Sequence, residues 1–154
     1  MVGGLTAYYS FWPFLTISPF QPLAPSDPFS GKFIISNDGL LPIYEVTIEC
    51  VLKKLNYESG GKAVHLKDGL SHERSNSTEV MYHGDKSAVS CHHPYITIDP
   101  NKPELKLIDG DMTVKVTFKP VLAYWTINKH FRFIAAQSSE QMIHWLPKPV
   151  SISK

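Results

Sequence analysis

The chain as a whole carries almost no excess of one charge. Fifteen Lys and Arg stand against fourteen Asp and Glu over 154 residues, and the basic ones are scattered. A basic face for nucleic acid or for an anionic membrane surface is thereby disfavoured, as is an acidic or disordered tail. Charged residues amount to only 19% and cysteines to two. No catalytic or nucleotide-binding signature occurs, and a hydrolase would need a nucleophile on a strained turn of the G-x-S-x-G kind. The charge-free stretch 2–15 is shorter than the roughly 20 apolar residues that span a bilayer, and it lacks the basic start and small-residue cleavage site of a signal peptide. Twelve Pro and nine Gly cut the chain into short segments, which suits many short strands and excludes a helical bundle.

What is present is period-two patterning. Between Ile43 and Lys54, Tyr44, Val46, Ile48, Cys50 and Leu52 share one face, and Glu45, Thr47, Glu49 and Lys53 the other. That alternation predicts a strand with one buried side. Met112, Val114, Val116 and Phe118 alternate with Thr113, Lys115, Thr117 and Lys119 in the same way. Phe33 and Ile35 lead into Asn37-Asp38-Gly39, a turn, and Tyr82-His83-Gly84-Asp85 reads as another. Asp109-Gly110-Asp111 reads as a tight connection between strands. Residues 56–79 turn polar and predict a long excursion with one short strand near Ala63 to Leu66. Further short strands are expected from Tyr95 to Ile98, around Phe131, Phe133 and Ala135, and from Gln141 to Leu146, ending at Pro147. The whole predicts an all-β, antiparallel sandwich of about seven to nine strands.

The N-terminus differs from the rest. Tyr8, Tyr9, Phe11, Trp12 and Phe14 crowd into seven positions without a charge. Tyr and Trp concentrate at membrane interfaces, so this segment is expected to be the outer end of a membrane anchor, the alternative being a first strand packed on the domain. Pro19, Pro22, Pro25 and Pro28 follow as a stiff extended spacer or edge segment. The organisation expected is a lead-in over 1–26 and one domain over 27–154.

Asp27-Pro28-Phe29, FIISNDG from Phe33 to Gly39, IYEVTIEC from Ile43 to Cys50, and Tyr82 to Asp85 ahead of Val89 and Cys91 resemble immunoglobulin-like domains of bacterial and archaeal surface proteins. With Phe131-Arg132-Phe133 and Trp145-Leu146-Pro147, the chain looks more specifically like small membrane-anchored bacterial proteins of unknown function. The resemblance covers about residues 27–147. It implies a place outside the cytoplasm, facing the periplasm or cell exterior, and a binding or structural role toward another protein or a cell-envelope component. It implies no reaction and no cofactor. Antibody-type domains place a Trp between their cysteines and a Tyr two positions before the second. Here no Trp lies between Cys50 and Cys91, and position 89 is Val, which points to different topology in detail.

Cys50 and Cys91 both fall on inward positions of expected strands. They are either a cystine across the core or two free buried thiols. His65, His72, His83, His92 and His93 lie within 29 residues, and His83, Cys91, His92 and His93 form the alternative reading, a histidine-rich Zn or Cu site, since such ions take N and S ligands. Against it, His92 and His93 are neighbours on a strand end and point to opposite faces. Solvated loops are the better expectation, with no metal and no enzymatic activity. Asp109-Gly110-Asp111 lacks the further carboxylates of a calcium loop. Tyr124, Trp125 and Trp145 are the candidate contact patch, because Trp and Tyr bring large contact area at small entropy cost.

Overall fold

The computed structural model describes residues 12–20, 31–59, 62–72, 78–91, 105–137 and 143–148. Nine strands run in chain order: β1 (Leu15–Pro19), β2 (Lys32–Asn37), β3 (Ile43–Ser59), β4 (Lys62–His72), β5 (Thr78–Met81), β6 (Lys86–Ser90), β7 (Leu105–Pro120), β8 (Ile127–Gln137) and β9 (Ile143–Lys148). All pairings among them are antiparallel. One sheet has the order β1-β2-β6 and the other β4-β3-β7-β8-β9, with β5 beside β4 on the same edge of β3. The architecture is an all-β sandwich, as the alternating pattern predicts. No helix occurs among the described residues.

One hydrophobic core lies between the sheets. Phe33 and Ile35 of β2 and Val89 of β6 face Val46, Ile48, Val114, Val116, Phe118 and Phe133 of the larger sheet, all essentially without solvent contact. The Phe33 and Phe133 rings meet at 4.8 Å between centroids. Each such side chain contributes about 1.5–3 kcal/mol relative to exposure, so the inward row of β3 and β7 is the main source of stability.

Four sequence expectations are corrected. Tyr44 is not in the core: Glu45 adopts a left-handed backbone (φ 50°), and β3 slips by one residue against β7 between Tyr44 and Thr47. The alternation therefore restarts at the bulge, with Ile43 inside and Tyr44 outside. Residues 56–59 and 62–72 are not an excursion but complete a long hairpin of β3 with β4. Across these strands His65 Nδ1 lies 3.0 Å from Asn56 Oδ1, while Leu55 is buried and Tyr57 and Leu66 pack against the core. Asp109-Gly110-Asp111 is no connection, since β7 runs straight through it. A Cβ on Gly110 would stand 3.0 Å from the Ala135 Cβ and 3.3 Å from the Trp145 ring, so glycine serves close packing here. Pro147 lies inside β9 rather than after it, tolerated because β9 is an edge strand. The expected strand from Tyr95 to Ile98 lies outside the described residues.

Asn37 holds the crossings between the sheets. Its side chain is fully buried; Nδ2 donates to the carbonyls of Leu41 and Met81, each at 3.0 Å, and Oδ1 accepts from the Gly39 N–H at 3.1 Å. Its backbone N–H donates to Asp85 O at 3.1 Å and its carbonyl accepts from Gly84 N–H at 2.8 Å. One residue thus clasps both the β2-to-β3 and the β5-to-β6 crossover. At the second, Gly84 takes φ 81°, as the third residue of a type II turn requires, and the Asp85 carboxylate accepts from the Tyr82 N–H at 2.8 Å.

Candidate functional site

The chain enters its described part at Trp12, beside the loop that joins β7 to β8. This loop, 121–126, reads VLAYWT and holds no charged residue. Pro120 closes β7, and the Ala123 N–H bonds back to its carbonyl at 3.1 Å. In this loop Tyr124 is wholly exposed, Leu122 is 74% exposed and Trp125 58%. Trp12, Pro13, Pro120, Leu122, Trp125 and Ile127 line an apolar groove of about 170 Å³ there.

Two interactions pin the lead-in to this end. The Phe14 carbonyl accepts from the N–H groups of Asp38 and Gly39, at 2.8 and 3.0 Å. Lys129 of β8 donates from Nζ to the Pro13 carbonyl at 3.0 Å, and the same ammonium lies 6.0 Å from the Phe14 ring centroid, within range of a cation–π contact. Burial pushes the Lys129 ammonium below its ordinary pKa. β1 then joins β2 in the smaller sheet, so the stretch expected as lead-in also supplies a strand, with Leu15 buried in the core.

Of the three aromatics expected to form a contact patch, Tyr124 and Trp125 lie on the exposed loop. Trp145 does not join them. It is only 7% exposed, its ring inward over Gly110, because β9 pairs with β8 in the register Trp145 to Ala135, an inward position. Trp12 and Leu122, which the sequence reading did not assign to the patch, take its place. The signal for Leu122 was the uncharged run after Pro120; for Trp12, only folding brings it to the far hairpin.

Cys50 and Cys91 are joined as a cystine, their Cα atoms 5.6 Å apart, within the usual range. Cys50 sits in β3 and Cys91 directly follows β6, so the bond ties one sheet to the other. It also removes Cys91 from the alternative metal set of His83, Cys91, His92 and His93, since a cystine sulfur is no thiolate ligand. His83 Nδ1 lies 3.1 Å from the Gly39 carbonyl; His92 and His93 lie outside the described residues. Among the described residues, no three His, Cys, Asp or Glu side chains gather to hold an ion.

Three carboxylates, Asp38, Asp109 and Asp111, are occupied structurally. Asp38 accepts from the hydroxyls of Ser36 and Thr16, both at 2.6 Å, which hold it below its ordinary pKa. Asp109 pairs with Lys54. Asp111 accepts from Arg132 Nε at 2.9 and 3.1 Å, as well as from Nη2. The Arg132 guanidinium keeps the Asp111 carboxyl below the usual carboxylate range. Below about pH 4 the unfolded chain takes up protons that native Asp111 refuses, so stability present at neutral pH declines until the pH passes the native pKa. Asp38 acts in the same direction. In urea unfolding, Asp111→Asn is expected to flatten the loss between pH 6 and pH 3 relative to the parent; equal slopes would show that the Arg132 pair is energetically silent.

Comparison with protein-family models, with curated proteins and with solved structures finds no match to this chain in any of the three.

Proposed function

We propose that this chain is an immunoglobulin-like module of a membrane-anchored protein, facing the periplasm or cell exterior, and that it acts without catalysis by binding or by structural support of another protein or envelope component. The observation that carries this reading is the Cys50–Cys91 bond between the sheets. Cystines of this kind persist in oxidising compartments and are rare in a reducing cytosol. The tether is supported by the uncharged, aromatic run at residues 2–15 and by the two contacts that pin its last residues to the sandwich. A non-catalytic role is supported by the use of His65, His83, Asp38, Asp85 and Asp111 in hydrogen bonds that hold turns and strand pairs together.

Fractionation of the cells that make the protein tests the reading. The protein is expected in the membrane fraction, released by detergent and not by high salt, digestible by protease added from outside, and resistant to alkylation until reduced. Recovery from the cytosol with both thiols alkylated at once would overturn it.

A further inference from the structure

We infer that the β7–β8 loop, with Trp12 beside it, is a lipid-contacting tip: the end of the sandwich that lies in the headgroup region of the bilayer to which the chain is tethered. This deepens the membrane-tether reading and rests on it.

The surface is built for such a partner. Leu122, Tyr124 and Trp125 project from a six-residue loop without a charge, in the combination of an aliphatic wedge with two amphipathic rings that interfacial belts use. A monomer in water gains nothing by displaying them; exposed apolar clusters of this sort mark interaction sites. The occupant follows from where the chain enters. Residues 2–11 carry no charge and include Tyr8, Tyr9 and Phe11. They lead directly into Trp12, which lines the same groove as Leu122 and Trp125, so a tether upstream of Trp12 joins the sandwich at this end. Of the two lysines flanking the loop's strands, Lys129 is turned onto the Pro13 carbonyl and Lys119 is paired with Glu45, so neither ammonium stands unpartnered at the apolar tip.

The test uses the full 154-residue chain with phosphatidylcholine vesicles whose lipids are brominated near the headgroups. Trp12→Phe leaves Trp125 at the tip and Trp145 in the core; Trp12→Phe/Trp125→Phe leaves Trp145 alone. Quenching is expected in the first variant and not in the second. Leu122→Asp is expected to lower vesicle partition about tenfold, the loss of burying one leucine, with an unchanged melting temperature. Partition without quenching of Trp125, or absence of partition, would overturn the tip contact, while the tether itself stands or falls by the cell fractionation described above. Self-association abolished by Leu122→Asp, without partition, would assign the surface to a second copy of the chain instead.

Discussion

Reduction of the Cys50–Cys91 bond is expected to remove about 4 kcal/mol of stability, the chain entropy that a 41-residue closure takes from the unfolded state. Domains of this size are stable by only about 5–15 kcal/mol, so the cystine supplies roughly a quarter or more of the total. The bond joins β3 to the end of β6, and thus the larger sheet to the three-stranded one, whose share of the core is smaller. Unfolding in urea with and without dithiothreitol measures the effect. The midpoint is expected to fall by roughly 2 M, and Cys50→Ala/Cys91→Ala, insensitive to reductant, should fall beside the reduced parent. A midpoint indifferent to dithiothreitol in the parent would mean that the two sheets are held by packing alone.

The second large effect is expected at Asn37. Replacement by Ala leaves the carbonyls of Leu41 and Met81 and the N–H of Gly39 without their side-chain partners. A buried polar group left unmatched costs about 1–3 kcal/mol, and three sharing one clasp are not independent. We therefore expect a loss of about 4 kcal/mol. Asn37→Asp discriminates the cause. It retains the acceptor toward Gly39 but turns a carboxylate toward two carbonyl oxygens, which raises its native pKa above the ordinary 3.9 or so. Above about pH 4 the unfolded chain releases a proton that the native chain retains, so the penalty grows as pH rises toward the native pKa. At pH 7 Asn37→Asp should be at least as damaging as Asn37→Ala, and at pH 3.5 less so, each measured against the parent at the same pH so that Asp38 and Asp111 cancel. Equal penalties at both pH values would remove the clasp from the account.

The legibility of the fold follows from the range of the forces involved. Val46, Ile48, Val114, Val116 and Phe118 announce their strands because pleating sends alternate side chains to opposite faces, a rule that each segment obeys without knowing its partners. The same rule failed at Tyr44, since one extra residue at Glu45 inverts the phase and nothing in the local pattern requires a bulge there. It failed again over 56–66, where polar residues such as Asn56, Glu58 and His65 dominate the sequence while Leu55, Tyr57 and Leu66 supply the contacts with the core. Asp109-Gly110-Asp111 has the composition of a turn. It lies within a strand because Lys54 and Arg132, distant in sequence, neutralise its carboxylates, and because the Trp145 ring needs the space that a Cβ at Gly110 would fill.

The contact surface divides in the same way. Tyr124 and Trp125 are recognisable along the chain as aromatics in an uncharged loop, but Trp145 has the same composition and turns inward, a choice made by the register of β9 on β8. Composition and alternation are thus sufficient for an all-β chain with two buried faces, because burial of apolar side chains is additive and local in its pattern. Bulge positions, the cystine, the Asn37 clasp and the meeting of Trp12 with Leu122 depend on which strands become neighbours. That depends on contacts between residues dozens of positions apart, and no short window of sequence contains them.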